Sequence, residues 1–385
     1  MSQRIGDFLP STCELLAFGE PTHKEPGFAT IRNDVFGDLV ERGFRSIALE
    51  IDRAAALAVD DYVRHGVGTL EEVMTTGFTH GFGAFDTNRQ LVTWLRAHNA
   101  GLPPEDRVHI HGFDGAMETM YAPSPRRYLE YVCDYLELDL GVRESAGEDD
   151  RWNRTEAMMD PARSVGATAD AERLRVIADD LSVRLHAAAP ERIAATSLDE
   201  WRRAAVHLTT GIGLLRYHAQ AATPLPDADR WSILSATRDA LMAQNLLDIR
   251  GVESSRGPTL VCAHNLHLRR TSSIMRMGPI TLTWSGAGAI VAALMGERYR
   301  VILGSLGRST GLELGEPEPD TYEGAFQKST PTWGFVAAEA LGVAETRTDT
   351  RPEQGYFPLD PDTVAGADVI VHLAEGSATS LANWA

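Results

Sequence analysis

The sequence predicts an α/β protein with a central, mostly parallel sheet flanked by helices and carrying a helical insertion. Short apolar runs with little alternation recur along the chain, as is typical of strands buried on both faces of a parallel sheet. Helical patterns separate several of these runs, which is the arrangement of βαβ units. A long central stretch contains amphipathic patterns but few β-branched runs, and this predicts the insertion.

The predicted strands are apolar runs, and the first four are each followed closely by a carboxylate or a histidine. The runs are Cys13–Phe18, Ser46–Leu49, Val108–Phe113, Thr259–Ala263, Tyr299–Leu303 and Val369–Leu373. Between the first two runs, apolar residues recur at the spacing of a helix, at Phe28, Ile31, Val35 and Leu39. Leu91, Trp94 and Leu95 repeat this pattern between the second and third runs.

The domain prediction follows from the central stretch. Amphipathic patterns at 171–189, 198–222 and 230–250 predict long helices there. We therefore expect residues 1–124 and 252–385 to form an α/β catalytic core, and residues 125–251 to form a helical lid that contributes to substrate binding. After Gly311 the chain is rich in Pro, Gly and Glu, and its elements are the least clearly patterned.

Composition excludes several classes of partner. The chain has 36 basic and 54 acidic residues, for a net charge of −18. Proteins that bind nucleic acids or anionic membranes usually do so through clustered Lys and Arg. We therefore expect a small-molecule substrate and neither a nucleic-acid nor a membrane partner. The oligomeric state is not indicated.

The cysteines and the start of the chain indicate a reducing compartment. Cys13, Cys133 and Cys262 lie far apart without CxxC spacing, which predicts neither a disulfide framework nor a zinc site. The first ten residues lack the apolar segment of a signal peptide, and no apolar run approaches the roughly 20 residues that span a bilayer. We expect a cytoplasmic protein.

Ionisable residues at the predicted strand ends are the candidates for chemistry, because ligands of parallel sheets bind outside the carboxyl ends of the strands. The residues are Glu20, Glu50, Asp114 and His264, with His23 in the loop after Glu20. A histidine is suited to taking a proton from water near neutral pH, and a neighbouring carboxylate fixes its tautomer and stabilises the imidazolium. An arginine such as Arg32 is suited to stabilising developing negative charge. Carboxylates at these positions are also typical of helix N-termini, so a capping role is the alternative for Glu20, Glu50 and Asp114.

Several segments, taken in order, resemble the erythromycin esterase family. They are Gly19-Glu20-Pro21-Thr22-His23, then Arg32, Ala48-Leu49-Glu50, Trp94-Leu95-Arg96-Ala97-His98-Asn99, Arg238-Asp239-Ala240-Leu241-Met242-Ala243-Gln244-Asn245 and Cys262-Ala263-His264-Asn265-Leu266-His267. The resemblance runs from about residue 15 to 270. It implies an α/β core with a helical insertion, and an esterase that hydrolyses a macrolide or another bulky natural product. Antibiotic resistance and natural-product biosynthesis both stay open as its biological role.

The resemblance also implies roles for particular residues. His23 is expected to be the general base on water, Glu20 and Glu50 its supporting carboxylates, Arg32 the functional arginine and His264 a second functional histidine. No metal and no cofactor are implied. We further expect His267, Asp114, Arg238 and Asn245 to bind substrate. Arg238 and Asn245 lie seven residues apart on one helical face, so an ordinary polar face explains their spacing equally well.

Alternatives stay open at this point. The family often has a small or glycine-rich segment after the first histidine, whereas this chain has Lys24-Glu25-Pro26-Gly27. That departure leaves room for a tailoring enzyme of natural-product biosynthesis that uses the site for proton abstraction, cyclisation or elimination. A metal held by His23, His264 and Glu50, and a binding protein without catalysis, are weaker alternatives.

A serine-esterase motif competes with the histidine site. Gly307-Arg308-Ser309-Thr310-Gly311 spells GxSxG, but a nucleophile elbow needs a helix directly after it and then an acid and a histidine. The next residues, Leu312-Glu313-Leu314-Gly315-Glu316-Pro317, are a poor helix start, and the later histidine, His372, lies in an apolar run. We therefore do not expect Ser309 to be a nucleophile.

Overall fold

The computed structural model describes residues 2–118 and 120–377. The strands are β1 Leu15–Glu20, β2 Ser46–Asp52, β3 His109–Asp114, β4 Thr259–His264, β5 Ser273–Met277, β6 Ile280–Trp284, β7 Tyr299–Arg308, β8 Trp333–Ala337 and β9 Val369–Glu375. The helices are α1 Pro26–Glu41, α2 Ala56–His65, α3 Leu70–Thr76, α4 Asp86–Asn99, α5 Arg126–Leu136, α6 Val142–Ala146, α7 Asp150–Asn153, α8 Thr155–Met159, α9 Ala169–Ala187, α10 Ala189–Ala195, α11 Leu198–Ala221, α12 Asp227–Glu253, α13 Asn265–Leu268, α14 Ala287–Met295, α15 Tyr322–Gln327 and α16 Pro361–Ala365.

Seven strands of the described chain form one sheet in the order β3-β2-β4-β1-β7-β9-β8. Its neighbouring strands are parallel except β8, which runs antiparallel to β9 at the edge. The α/β fold, the mostly parallel sheet and all six predicted strands are thereby confirmed. The sequence analysis missed β8 and the small antiparallel hairpin formed by β5 and β6.

Both faces of the sheet are covered, which explains why its strands lack polar alternation. Leu16 and Phe18 of β1 pack in one core with residues of α1 to α4, such as Phe36. Leu15 and Ala17 point to the opposite face, as alternate residues of a strand must, and pack in a second core with α12 and α14.

The helices α5 to α12 lie between β3 and β4 and form the predicted helical insertion. Its own core contains Leu129, Trp152 and Leu181. The last of these helices, α12, also packs Leu246 and Ile249 into the core of the sheet, so it joins the insertion to the strands. The expected boundaries at 124/125 and 251/252 stay a prediction. In the described part of the chain, no helix combines the length and the apolar character needed to cross a membrane.

Candidate active site

The candidate site lies at the carboxyl ends of β1, β2 and β4, which are neighbours in the sheet. Glu20 is the last residue of β1 and stands in register with His264, the last residue of β4. Glu50 lies near the end of β2, where the register with β3 shifts between Leu49 and Asp52. His23 lies in the short loop that connects β1 to α1. The parallel topology therefore brings together residues from distant parts of the chain, as predicted.

His23 lies between two carboxylates. Its Nδ1 is 2.7 Å from Glu20 Oε1, and its Nε2 is 3.7 Å from Glu50 Oε2. Because a carboxylate accepts at Nδ1, that nitrogen carries the proton in the neutral imidazole, and Nε2 is the basic nitrogen. The ring packs against Phe82 and His264, with centroids 5.2 and 5.3 Å away, and the side chain is 17% exposed. The geometry suits a base that water can reach.

Glu50 is buried and forms the centre of the polar network. Its carboxylate accepts the backbone N–H of His264 at 2.8 Å, and its Oε1 lies 3.4 Å from both His267 Nε2 and Arg238 Nη2. Although burial alone would raise the pKa of Glu50, the charges of His267, His23 and Arg238 lower it to about 2. Glu50 is therefore ionised at neutral pH and faces the basic side of His23.

The two histidines at the end of β4 have different environments. Burial lowers the pKa of His264 to about 3, so its ring is neutral at pH 7. His264 Nδ1 accepts the backbone N–H of Leu266 at 3.2 Å, which places the proton on Nε2. His267 donates from Nδ1 to Asp239 at 2.8 Å. Burial opposes ionisation of His267, but Asp239 and Glu50 raise its pKa.

Arg32 supplies a positive charge beside His23. A cavity of about 40 Å³ is lined by Arg32, Glu20, His23 and Glu50, among other residues, and is large enough for ordered water. The guanidinium donates to the amide oxygens of Asn33 and Asn88. Burial lowers the pKa of Arg32, but arginine stays protonated in proteins. Among the described residues Arg32 forms no ion pair with a carboxylate, so its charge is available to an anion that develops in the cavity.

A second network extends the site towards β3. Arg238 of α12 donates to both oxygens of Asp114, and this pairing keeps the carboxylate charged although it is buried. Burial alone would raise the pKa of Asp114, but Arg238 and His80 lower it strongly. His80 binds Asp114 through Nε2 at 2.9 Å and lies 3.3 Å from Glu118 through Nδ1. Because Arg238 also contacts Glu50, the two networks are connected.

A pocket of about 240 Å³ opens beside this second network. Its lining includes His80, Glu118, Tyr121, Arg127 and Asn153. The pocket lies between the ends of β2 and β3 and the first helices of the insertion, so it borders the candidate site on the side of Asp114.

The expected site residues do not all meet. Glu20, His23, Glu50, His264, His267, Arg32, Asp114 and Arg238 form the two connected networks. Asn245 lies apart from them, where its amide accepts from Arg53 and donates to the carbonyl of Phe113. A substrate-binding role for Asn245 stays a prediction.

Three residues of the networks, Asp239, His80 and Glu118, escaped the sequence analysis. Asp239 fixes His267, and it directly follows Arg238 in the motif already noted, so the sequence offered a signal. His80 adopts a left-handed backbone conformation with φ of 56°, which is uncommon outside glycine and is typical of functional loops. Its partner Asp114 lies 34 residues away, and no local pattern indicates the pair.

The GxSxG segment is not a nucleophile elbow. Ser309 is buried, and its hydroxyl donates to Glu25 at 3.1 Å. Irregular chain follows it, and the next helix is α15. His372 binds Ser305 and Gln327 instead. The prediction that no helix directly follows Ser309 in the chain is confirmed.

The fold and the site together define an α/β protein with a histidine–carboxylate centre at the carboxyl ends of its parallel strands. The chain belongs to the erythromycin esterase family, because the family model "Erythromycin esterase" matches residues 39–375. Glu20, His23 and Arg32 precede the matched segment, whereas Glu50 and His264 lie within it.

Solved structures share the fold at low sequence identity. A protein from Bacillus cereus has a TM-score of 0.68 at 17% identity, with 97% of this chain and 91% of that chain covered. An erythromycin esterase mutant, EreC, in its open conformation has a TM-score of 0.67 at 19% identity, with 97% and 93% covered. A succinoglycan biosynthesis protein has a TM-score of 0.68 at 16% identity, with 95% and 89% covered. No curated protein matches the chain in sequence.

Proposed function

We propose that this protein is a hydrolase that cleaves an ester or lactone of a bulky natural product, such as a macrolide, with water activated by His23. The observation that carries the proposal is the position of the His23 imidazole between Glu20 and Glu50, beside a cavity that Arg32 also lines. Membership of the erythromycin esterase family supports the same reaction class.

The first step of the proposed reaction is proton transfer from water. Nε2 of His23 takes the proton while the water oxygen forms a bond to the carbonyl carbon of the substrate. Glu20 holds Nδ1 and keeps the ring oriented. Both Glu20 and Glu50 stabilise the imidazolium that forms, because each places a negative charge beside it.

The second step is the stabilisation and collapse of the tetrahedral intermediate. The oxyanion forms in the cavity beside Arg32, whose charge is not neutralised by a direct carboxylate partner among the described residues. His264 is neutral and carries its proton on Nε2, so it is suited to donate a second hydrogen bond. The imidazolium of His23 then returns the proton to the alkoxide that leaves, which gives an acid and an alcohol.

Substrate binding is assigned to the pocket on the side of Asp114. His80, Tyr121, Arg127 and Asn153 line it and provide hydrogen-bond donors at its wall. Lys24 belongs to the segment that departs from the family pattern. Its ammonium group donates to the backbone carbonyl of Glu353 at 2.8 Å, so this side chain is held by a contact within the protein.

The test is hydrolysis of a macrolide and of a simple aryl ester, measured before and after dialysis against a chelator. His23→Ala is compared with His98→Ala, a histidine that stacks on Trp94 outside the site. We expect full activity after dialysis, loss of activity in the first variant and normal activity in the second. Activity that disappears with the chelator contradicts the metal-independent mechanism, and activity retained by His23→Ala contradicts the base.

A substrate panel separates hydrolysis from the tailoring reaction. A folded wild-type enzyme that leaves every ester and lactone of the panel intact contradicts the proposed substrate class and favours proton abstraction, cyclisation or elimination at the same site.

A further inference from the structure

A second group of histidines lies at the amino end of the edge strand β3, away from the carboxyl ends that form the candidate active site. His109 is the first residue of β3, and His111 follows two residues later on the same face of the strand. Both imidazoles contact Glu253, the last residue of α12: His109 Nδ1 is 2.8 Å and His111 Nε2 is 2.9 Å from the same oxygen, Oε1. Asp114 of the active site stands at the other end of this strand.

We propose that His109, His111 and Glu253 bind a divalent transition-metal ion, with Zn²⁺ as the best match. One ligand atom from each residue lies within 4.8 Å of the other two. Two imidazole nitrogens and one carboxylate oxygen form a donor set that suits Zn²⁺ and related ions, whereas Mg²⁺ and Ca²⁺ prefer oxygen ligands alone.

The three ligand atoms must shift to hold an ion, both relative to the carboxylate oxygen and relative to each other. Metal–ligand bonds of about 2.0 Å in a tetrahedral site place the ligand atoms about 3.3 Å apart. The two nitrogens therefore move roughly 0.5 Å away from Glu253 Oε1 when the ion enters, relative to their hydrogen-bonded distances of 2.8 and 2.9 Å. They also approach each other by up to about 1.5 Å, because the ligand atoms now lie within 4.8 Å of one another. In the metal-bound form, each imidazole carries its proton on the ring nitrogen that does not bind the ion. Two imidazoles that are neutral beforehand therefore release no proton when the ion binds.

The surroundings of Glu253 support a ligand role. The Nε of Arg256 donates to Glu253 Oε2 at 2.8 Å, which occupies one oxygen and leaves Oε1 to face the histidines. Carboxylates that bind metals are in turn commonly hydrogen-bonded by an outer partner. Glu253 is fully buried, and its two oxygens are divided between the two histidines and Arg256.

An ion can reach the site from solvent. His109 and His111 line a groove of about 1050 Å³ that runs between α2, α11 and α12, and the side chain of His111 is 19% exposed. The groove leaves space for a water molecule as the fourth ligand, as in zinc sites with three protein ligands.

The proposed ion would join two parts of the fold. Glu253 ends the helix that connects the insertion to the core, and His109 begins the strand at the edge of the sheet. A metal bridge between them stabilises the folded chain, because the unfolded chain does not hold the three ligands together.

The experiment measures binding of Zn²⁺ to the full chain after dialysis against a chelator, by calorimetry, together with thermal unfolding. We expect one equivalent to bind and the melting temperature to rise by about 3 °C at a Zn²⁺ concentration one hundred times the dissociation constant. Co²⁺ should give the visible absorption of a nitrogen- and oxygen-ligated ion.

Variants assign the bound ion to the proposed ligands. His111→Ala, a partly exposed site, is expected to weaken Zn²⁺ binding by at least about 10-fold, which reduces the melting shift at the same Zn²⁺ concentration to less than about 2 °C. His186→Ala is the matched control, because His186 lines the same groove away from the cluster. His23→Ala tests the active site as an alternative position. The proposal is overturned if the wild-type chain binds no Zn²⁺, if His111→Ala binds it normally, or if His23→Ala alone loses it.

Discussion

Replacement of Glu50 by glutamine keeps the shape of the side chain but removes its charge. We expect Glu50→Gln to lower the free energy of unfolding by about 3 kcal/mol at pH 7. The magnitude comes from the pKa of Glu50, which falls from its ordinary value of 4.5 to about 2, at about 1.4 kcal/mol for each tenfold change in proton affinity. Solvent does little to screen the charge of Glu50, because its side chain is only 6% exposed.

The same pKa determines how the difference changes with pH. Because the pKa of Glu50 is lower in the folded chain, its contribution is fully present above about pH 4.5 and is lost as the pH falls through about 2. The deficit of Glu50→Gln should therefore shrink to about 2 kcal/mol at pH 3.5.

Urea unfolding at pH 7 and at pH 3.5, followed by circular dichroism, measures both values. Glu41→Gln is the matched control, because Glu41 is an exposed glutamate on α1 and its replacement should leave stability unchanged. The reasoning is refuted if Glu50→Gln is as stable as the wild type at pH 7, or if its deficit is the same at both pH values.

Three further changes test two residues of the site and the buried Ser309. Glu20→Gln removes the carboxylate that binds Nδ1 of His23, the proposed base, so steady-state assays should show kcat reduced on the order of 100-fold with little change in KM; an unchanged kcat speaks against the proposed role of Glu20. Although burial opposes it, the hydrogen bond to Asp114 raises the pKa of His80 to about 9, so the stabilisation present below pH 6.5 is lost as the pH rises through 9. The melting temperature of His80→Gln should therefore not show this decrease between pH 6.5 and 9. If the melting temperatures of the variant and the wild type depend on pH in the same way, the pairing of His80 with Asp114 is contradicted. Ser309→Ala removes a donor to buried Glu25, and should cost about 1 kcal/mol of unfolding free energy without loss of hydrolysis; an inactive but folded variant would indicate a serine nucleophile.

The sequence was most informative where topology alone determines position. The carboxyl ends of neighbouring parallel strands share one edge, so apolar runs followed by Glu20, Glu50, Asp114 and His264 were sufficient to predict their proximity. The helical spacing after His23 likewise predicted α1.

The misses have local physical causes. The hairpin of β5 and β6 turns at Gly278, which has φ of +56°. The Gly278-Pro279 pair between two short apolar segments is a sequence pattern that indicates such a turn. The edge strand β8 is only five residues long and antiparallel, in a region with weak patterning. Partners in tertiary contact alone, such as His80 with Asp114 and His111 with Glu253, leave no trace in sequence spacing.

Chemical rescue of His23→Ala tests most directly whether the His23 imidazole is the base. The variant removes the ring but leaves Glu20 and Glu50, which contact it in the wild type. Steady-state hydrolysis of an aryl ester should fall by at least about 100-fold, and added imidazole should restore a rate that saturates with its concentration. A variant that hydrolyses the ester at the wild-type rate without imidazole would contradict the account.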